Sequence, residues 1–503
     1  MASVSGSQLA FFGNDSTGAD VNIVLTPDGS GTLATVAGAY NIEVFTSSVG
    51  SPSLAPGFQA SVFIEGATQT ANDGTPFANN VIQAGSITSV EQILNGSLTV
   101  VDQTGFENIQ IIGAGAGGPA SNTTVVGAWG DTITGSAVAA NTQLIDASGT
   151  GGHQTVNGGA GNTTVYGGDF DSITGAAGPM TVVGSVGGPH INMTVNGGAG
   201  GLAAFDFGTN NLVRGGNGIT FIDDTYGSGG NNTLVGGSGG SNFVAGGAGD
   251  SIVGGDGPVT ILNSFLFDGQ TVVGGSGLST IIEGGSGDSI VAGSGFFAFV
   301  SAVSASTIQG GSNASGATVV YSLGDLNSVT GGAGSLQVGA AATNSTIIGG
   351  SGDLNVFGLG AGNSVVGGSG TNTINDATGG GATLVGGAGA TTIIAGAGDS
   401  VVAGTGALEA RIRDDISGTS TIDLSAAAVA DVVRDVSVAG AGATASVIDF
   451  DTTLDRIASA TSVDGTNTFL GTSTVVGSDT VLTFLDGSTM TIVGVATPIS
   501  FIQ

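Results

Sequence analysis

The 503-residue chain contains no cysteine and no lysine, and only nine prolines. Without cysteine it can form neither a disulfide framework nor a thiolate nucleophile or metal ligand. Aromatic residues make up 5% of the chain. No hydrophobic run reaches the roughly 18 residues that indicate a membrane-spanning helix, so we expect no membrane span.

The charge is almost entirely of one sign. There are 37 acidic residues against five arginines, which gives a formal net charge of -32. Such a chain repels phosphate, so we expect no nucleic-acid partner. Divalent cations and cationic or neutral glycans, such as a cell-surface glycan, remain possible ligands. Residues 1–20 lack the basic and apolar regions of an ordinary signal peptide, and we expect none there.

Glycine is abundant, with 98 residues, and many Gly-Gly pairs precede short β-branched runs. A longer period is visible in a recurring phrase that begins with Asp or Asn and continues with Ser or Thr and then β-branched residues. Its third occurrence, at Asn211, matches this pattern less well. The phrase begins at Asp131, Asp171, Asn211, Asp250, Asp288, Asn327, Asn363 and Asp399. Successive members are 36 to 40 residues apart. This spacing predicts about eight repeats of roughly 38 residues, each with about four strands.

Short β-branched runs separated by glycine nearly exclude helices and predict an all-β fold. One coil of such a chain is too thin to bury its apolar side chains alone. Stacking on the next coil at roughly 4.8 Å completes both the core and the hydrogen bonds of the strands. We therefore predict a right-handed parallel β-solenoid of the β-roll or β-helix type, with glycines at φ > 0 in its turns.

Composition divides the chain into three predicted parts. Gly-Gly pairs are sparse in residues 1–120, which we interpret as an N-terminal β cap or assembly domain, with irregular first coils as the alternative. Residues 121–405 form the Gly-rich solenoid. Residues 406–503 form a C-terminal β segment, where four of the five arginines lie.

Four phrases resemble the nonapeptide of RTX (repeats-in-toxin) proteins, Gly-Gly-x-Gly-x-Asp-x-apolar-x, and the resemblance covers roughly residues 155–405. They are GGAGNTTVYGG at 158–168, GGAGDSIVGG at 246–255, GGSGDSIVAG at 284–293 and GGAGATTIIAGAGDSVVAG at 386–404. The resemblance implies a parallel β-roll, calcium bound in its turns and export by type I secretion. Segments 447–458 and 479–495 also look like the C-terminal segments of type I substrates. We therefore expect a secreted protein, extracellular or at the cell surface.

The same resemblance implies calcium as a cofactor, at five aspartates of the repeats. They are Asp131, Asp171, Asp250, Asp288 and Asp399. Asp250, Asp288 and Asp399 stand one place earlier than the calcium aspartate of the family, and that position holds Thr163, Ser251, Ser289 and Thr391 in the four phrases. The regular calcium cage therefore cannot be transferred residue by residue. The alternative is that the aspartates cap turns, since asparagine replaces them in some repeats.

Few residues suit catalysis, and we predict no catalytic residues and no enzymatic activity. His153 and His190 each stand alone in a Gly-rich turn, which is typical of solvated residues. A polysaccharide-cleaving enzyme would need two carboxyl groups on one face. The candidate pairs are Asp223 with Asp224, Asp414 with Asp415, and Asp169 with Asp171. Neighbouring strand residues point to opposite faces, and aromatic residues that could bind sugar are scarce, so this function ranks last.

Two clusters of phenylalanine stand out in the repeats. They are Phe265 with Phe267, and Phe296, Phe297 and Phe299 beside Val300. Filling of the solenoid core is the ordinary interpretation. An exposed patch for a partner is the alternative.

Two functions fit these features. The first is a structural protein that self-associates into a surface layer, fibre or biofilm matrix, because the end of a solenoid exposes unpaired strand edges. The second is an adhesin that binds a glycan or a crystal lattice through a regular Ser/Thr column. The column consists of Thr132, Ser172, Ser251, Ser289, Ser328, Ser364 and Ser400. The uniform array, without an inserted recognition loop, favours the first.

Overall fold

The computed structural model describes side chains between residues 106 and 499, with internal gaps. The gaps are 107, 112–121, 140–141, 149–151, 185–189, 226–228, 241, 263–266, 282–284, 296–303, 322–323, 340–342, 413–417, 427–428, 435–443, 459–471 and 485–486. Within residues 1–105, and in a few strand residues of the gaps, the backbone of the strands alone is described. The chain divides into two compact units, residues 1–259 and 260–503.

The first unit is built from short strands. They are β1 Ala2–Ser5, β2 Gln8–Asn14, β3 Asp20–Asp28, β4 Gly38–Phe45, β5 Phe58–Glu65, β6 Asn80–Ala84, β7 Ser86–Gln92, β8 Ser97–Asp102, β9 Asn108–Gly113, β10 Asn122–Val126, β11 Thr132–Thr134, β12 Thr142–Asp146, β13 Thr155–Asn157, β14 Asn162–Tyr166, β15 Ser172–Thr174, β16 Met180–Val183, β17 Thr194–Asn196, β18 Leu202–Phe205, β19 Leu212–Arg214, β20 Thr220–Asp223, β21 Thr233–Val235, β22 Asn242–Gly246 and β23 Ser251–Val253.

From residue 259 the strands continue with similar lengths. They are β24 Val259–Asn263, β25 Thr271–Val273, β26 Ser279–Ile282, β27 Ser289–Val291, β28 Phe297–Ser301, β29 Thr307–Gln309, β30 Ala317–Tyr321, β31 Ser328–Thr330, β32 Ser335–Gly339, β33 Thr346–Ile348, β34 Leu354–Phe357, β35 Ser364–Val366, β36 Asn372–Asn375, β37 Thr383–Val385, β38 Thr391–Ala395, β39 Ser400–Val402, β40 Leu408–Arg413, β41 Thr419–Asp423, β42 Val432–Val436, β43 Thr444–Ile448, β44 Arg456–Ala458, β45 Thr472–Val476, β46 Asp479–Thr483 and β47 Thr489–Ile492.

Successive strands alternate between two parallel sheets, so that one coil contributes one strand to each sheet. Sheet A contains the odd-numbered strands of the coils, mostly of three residues, and sheet B contains the even-numbered ones from β6 to β44. In the described part of the chain, antiparallel pairs occur among β1 to β4 and among β45 to β47. The prediction of a parallel β-solenoid is confirmed. No helix in the described residues has the length and apolar character to span a bilayer.

The coil length explains the period that the sequence shows. In sheet A, Thr271 pairs with Ser289, and Thr307 pairs with Ser328. One coil therefore takes roughly 18 to 21 residues, as the hydrogen bonds between coils also show. Two coils make one repeat of roughly 38 residues with four strands, as predicted.

The core lies between the two sheets and is filled by the inward residue of each short strand. In sheet A the middle residue of each three-residue strand is 0% or 1% exposed, as at Ile173, Val213 and Ile347. In sheet B two residues of a strand point inward, for example Val338 and Leu336 of β32. Each coil thus buries a few branched side chains against the coils before and after it, and burial contributes about 25 cal/mol per Å² of apolar surface.

Strand pairing continues across both boundaries that composition suggests. Strand β8 pairs in parallel with β10, on either side of residue 120. Strand β38 pairs in parallel with β40, on either side of residue 405. Parallel strands of the same kind therefore occur on both sides of residue 120. The three-part division of the chain stays a prediction.

The sequence predicts that glycines provide positive φ angles in the turns, but in many Gly-Gly pairs glycine has a different role. Gly331 and Gly349 follow sheet A strands, and neither has a positive φ. A Cβ atom on Gly349 would lie 2.4 Å from the backbone nitrogen of Gly368 in the next coil. These glycines are required because adjacent coils approach closely at this corner. Positive φ occurs at this corner in Gly255 and Gly293, and it recurs at another corner, two residues before the sheet A strands, as at Gly362 and Gly398.

Candidate functional site

The five aspartates predicted to bind calcium occupy one corner of their coils. Each directly precedes a sheet A strand and is at most 2% exposed; they are Asp131, Asp171, Asp250, Asp288 and Asp399. Asn211, Asn327 and Asn363 occupy the same position in other coils. The structure therefore spaces these residues one by one along an edge of the sheet and does not gather them into a cluster.

Asp171 shows what the carboxylate does at this edge. Its Oδ1 accepts the backbone N–H of Gln154, 17 residues earlier, at 2.8 Å, and its Oδ2 accepts the N–H of Gly168 at 2.7 Å. Asp250 and Asp399 make the same two hydrogen bonds. Each carboxylate thus joins its own turn to the preceding coil, and it satisfies two N–H groups that the strand ladders leave unpaired.

Asparagine makes the contact to the preceding coil but differs within its own turn. In Asn327, Oδ1 accepts the N–H of Ser306 at 2.9 Å, while Nδ2 donates to the carbonyl of Gly324 at 2.8 Å. Asn363 repeats this arrangement. The partner within the turn is thus the residue three positions earlier in both cases. Aspartate accepts the N–H of that residue, whereas Asn327 and Asn363 donate to its carbonyl oxygen. Aspartate and asparagine therefore fit different turns. The sequence suggests that they exchange freely, but the structure shows that they do not.

The coils between these positions contribute side chains that the sequence analysis missed. Asp288 donates its backbone N–H to Ser306 Oγ at 3.2 Å, and Asn327 donates to Ser345 Oγ at the same distance. We name the resulting series the cap column. It consists of Asp171, Asn211, Asn232, Asp250, Asp288, Ser306, Asn327, Ser345, Asn363 and Asp399. A search at the spacing of one coil, about 18 to 21 residues, would have found the intermediate members.

The cap column does not fit a calcium site well. Calcium binds six to eight oxygen ligands, and bound carboxylates must direct free lone pairs at it. At Asp171, Asp250 and Asp399 both oxygens already face N–H donors. Across the part of the chain with described side chains, no group of three His, Cys, Asp or Glu residues could hold a metal. Calcium at these aspartates stays a prediction, and no function is built on it.

Two members of the cap column are paired with a second buried carboxyl group. Asp224 follows β20, is fully buried, and accepts the N–H of Phe207 at 2.7 Å. Burial and then the charge of Asp250 raise the pKa of Asp224 to about 8. In the second unit, burial and then the charge of Asp399 raise the pKa of Asp376 to about 8. In each pair, burial and the repulsion between two adjacent carboxylates therefore favour retention of a proton.

In two of the three candidate catalytic pairs, one carboxylate is buried and the other lies at the surface. Asp223 points outward and accepts a hydrogen bond from Thr225 Oγ1 at 2.6 Å, while Asp224 points into the core. Asp169 is half-exposed and lies 3.2 Å from Nδ1 of His190, whereas Asp171 is buried. Asp414 and Asp415 lie outside the described residues, as do the side chains of Phe265, Phe296, Phe297, Phe299 and Val300.

The outer face of sheet A carries the Ser/Thr column more completely than predicted. In each unit the residues of this column pair in register from one sheet A strand to the next. The first unit has Thr132, Thr155, Ser172, Thr194, Leu212, Thr233 and Ser251. The second has Thr271, Ser289, Thr307, Ser328, Thr346, Ser364, Thr383, Ser400 and Thr421. One hydroxyl per coil, with a single leucine, makes a flat and uncharged surface.

A column of aromatic rings lies on the corner before sheet A in the first unit. Phe106 and Trp129 meet edge-to-face at 4.5 Å, Trp129 and His153 at 5.9 Å, and His153 stacks on Phe170 at 4.8 Å. We name these four residues the aromatic column. The phenylalanines and the tryptophan are 43% to 69% exposed. His153 is thus exposed, as predicted, but it does not stand alone.

The aromatic column occupies a backbone position that is unfavourable for large side chains. Phe106, His153 and Phe170 have φ values of 60° to 68°. In neighbouring coils the same position holds asparagine or glycine, as at Asn192 and Asn210. The left-handed region costs roughly 1–2 kcal/mol for a residue with a Cβ atom. These residues therefore reduce stability while exposing apolar surface, a combination that often marks recognition sites.

No protein-family model matches the chain, and the searches of curated proteins and of solved structures found no similar protein.

The buried carboxyl pairs should make the protein less stable as the pH rises. The folded state keeps the proton of Asp224 up to about pH 8, whereas the unfolded chain releases it near the ordinary value of 3.8. Between these values the folded state binds more protons, so the free energy of unfolding should fall by up to about 1.4 kcal/mol per pH unit for each pair. Urea unfolding between about pH 5 and pH 9 measures this slope.

Asp224→Asn should reduce that slope and stabilise the protein above neutral pH, because the amide needs no proton. Asp223→Asn is the matched control, because the side chain of Asp223 lies outside the core. The stability of this control should depend on pH as steeply as that of the unchanged protein. A free energy of unfolding that is constant over the whole pH range in the unchanged protein would show that the pairs do not retain a proton.

Removal of divalent cations should leave the coils intact. The aspartates of the cap column already accept N–H donors, so the far-ultraviolet circular dichroism of the protein should be the same in EDTA and in millimolar calcium. Disappearance of the β-sheet spectrum in EDTA, with recovery on addition of calcium, would establish a structural calcium site and reject the capping interpretation.

Proposed function

We propose that the chain is a secreted structural protein that self-associates into a surface layer, fibre or biofilm matrix. The observation that carries this proposal is the repetition of flat, nearly uncharged outer faces from coil to coil. From Thr271 to Ser400, the sheet A strands present hydroxyls in one outward row and mainly Val, Ile, Gln or Thr in the other. Such faces can pack side by side without burying unpaired charge.

The outer face of sheet B adds apolar surface suited to lateral contact. Phe221 stacks on Phe243 at 4.8 Å, and Phe205 lies 5.6 Å from Phe221. Phe221 is 37% exposed. Contiguous apolar patches on a soluble chain often mark sites of protein association.

The C-terminal strands also supply an edge. Among the described residues, β45 pairs with β46 alone, and its residues Val475 and Val476 are exposed. An exposed, uncharged edge strand can add a strand from another chain. This edge supports association through backbone hydrogen bonds in addition to lateral packing.

We propose export by type I secretion on the basis of the C-terminal resemblance at 447–458 and 479–495. The excess of acidic residues supports solubility outside the cell, because like charge opposes non-specific aggregation.

No catalytic role is proposed. The residues that line a cavity of about 370 Å³ beside Arg456 and Asp455 include no nucleophile with an adjacent base.

Binding to a lattice or glycan is a second candidate, favoured by the hydroxyl column of sheet A. The column continues on successive coils within each unit, at the roughly 4.8 Å repeat of stacked strands. Regularly spaced hydroxyl and methyl groups can match a repeating solid surface. This role needs monomers alone, whereas assembly needs contacts between chains.

Purified protein should form filaments or sheets that negative-stain electron microscopy detects. Sedimentation velocity should show particles larger than the monomer whose share grows with protein concentration, in EDTA as well as in millimolar calcium. A single monomeric species at every concentration, in both buffers, would contradict the proposal.

If the hydroxyl column binds a lattice, three large side chains on it should prevent binding. Thr307→Tyr, Ser328→Tyr and Thr346→Tyr together should weaken binding of the protein to insoluble glycans or ice by about tenfold or more. The control places tyrosine on the exposed face of sheet B, at Gln337, Asn355 and Thr373. Equal binding by both triple variants would exclude the column as the binding surface.

A further inference from the structure

The aromatic column of the first unit exposes large rings at backbone positions that do not favour them. Its residues Phe106, His153 and Phe170 adopt a backbone conformation that asparagine and glycine adopt more readily. Its rings stack on one another at the surface of the coils. A partner that covers the column would bury this apolar surface, so the column has the properties of a docking site.

The chemistry of the column favours a cationic partner. Aromatic faces carry partial negative charge and attract guanidinium groups, with tryptophan the strongest of the rings. The chain as a whole has a net charge of -32, so a positively charged group is drawn to it and an anionic one is repelled. Arginine fits best, because its planar group stacks on a ring while its edge keeps hydrogen bonds to other groups.

Three of the five arginines of the chain lie on neighbouring strands of sheet B. Arg411 and Arg434 are directly opposite each other on β40 and β42, on the outer face of sheet B. Arg456 lies on β44, opposite Val432 of β42. We name Arg411, Arg434 and Arg456 the arginine patch.

The guanidinium groups of this patch are held in place but remain accessible. Nε of Arg411 and Nε of Arg434 donate to the same oxygen of Glu409, at 2.9 Å and 3.0 Å. Partial burial opposes ionisation of Glu409, but the two guanidinium groups outweigh it and keep the pKa of Glu409 below its ordinary value. The arginine side chains are 41% and 33% exposed. Their planes can therefore stack on rings while their edges stay on Glu409.

We propose that the aromatic column of one copy of the chain binds the arginine patch of a second copy. This inference rests on the proposed self-association and specifies a contact for it. The two surfaces that meet in this contact are different, and each copy of the chain presents both of them. The contact can therefore join two copies reciprocally or repeat from one copy to the next.

Two complementary variants test the contact. The first, Phe106→Asn with Phe170→Asn and Trp129→Phe, removes most of the column and places at both left-handed positions the residue that Asn192 and Asn210 already provide there. The second, Arg411→Gln with Arg434→Gln, removes the patch and keeps the column. Each variant alone should associate at least about tenfold more weakly than the unchanged protein in sedimentation velocity.

When the two variants are mixed, they should form one-to-one pairs, because one retains the patch and the other the column. Trp129 is the single tryptophan of the chain. The first variant lacks it, so a change of tryptophan fluorescence on mixing reports the column of the second variant alone. Circular dichroism should show that both variants are folded, and the asparagine variant should melt at the same or a higher temperature than the unchanged protein.

Matched controls use equivalent residues elsewhere. Leu326→Asn replaces a leucine that is 64% exposed and also has a positive φ, outside the column. Arg214→Gln removes the arginine that lies outside residues 406–503. Both controls should associate like the unchanged protein.

The outcomes separate the two proposals. If the unchanged protein does not associate, the proposed function fails. If it associates and both variants associate equally well, the contact is wrong while self-association stands. If the variants fail alone and also fail when mixed, the column and the patch do not bind each other, and the inference is overturned.

Discussion

The fold depends on hydrogen bonds between one coil and the next. Within the sheets, parallel strands supply these bonds through their backbones. At the corner before sheet A no strand ladder is available, and backbone N–H groups there would be buried without a partner. The cap column supplies acceptors in most coils between Asp171 and Asp399, although Met193, Gln270 and Ala382 stand at the same position in three of them. Its carboxylate, amide and hydroxyl oxygens accept N–H groups of the preceding coil, for example from Gln154 to Asp171 and from Ser306 to Asn327.

This solution places acidic groups inside the molecule. A carboxylate that accepts two N–H bonds is tolerated, but burial still raises its pKa, to about 6 at Asp171. Where a second acid is adjacent, at Asp224 and Asp376, burial and the neighbouring carboxylate raise the pKa further, to about 8. The interior therefore combines an apolar core with a line of titratable groups along one edge.

Much of the architecture can be predicted from the sequence. The short β-branched runs predict the strands, and the recurring Asp or Asn phrase predicts repeats of four strands, because inward residues such as Ile252 must return to a fixed place in each coil. The role of the Asp and Asn positions is not visible, since the N–H groups that they accept lie 17 to 21 residues earlier in the chain. In the sequence Asp224 is adjacent to Asp223, and nothing there indicates that its partner in the core is Asp250. Contacts between coils do not follow from proximity in the sequence.

The surfaces are harder to predict than the core. Phe106, His153 and Phe170 lie far apart in the chain, and nothing in their local sequence indicates a positive φ for a large side chain. Their alignment follows from the length of each intervening turn. The paired arginines Arg411 and Arg434 are likewise distant in sequence and meet because one coil separates them.

Along the cap column, an aspartate is followed one coil later by a neutral residue, as Asp288 is followed by Ser306. Duplication of the coil that contains Asp288 would place two such aspartates on adjacent rungs, roughly 4.8 Å apart in the interior. Duplication of this coil together with the next one, which contains Ser306, would preserve the alternation. Near the aspartates, the gain of a whole two-coil repeat therefore disturbs the interior less than the gain of a single coil.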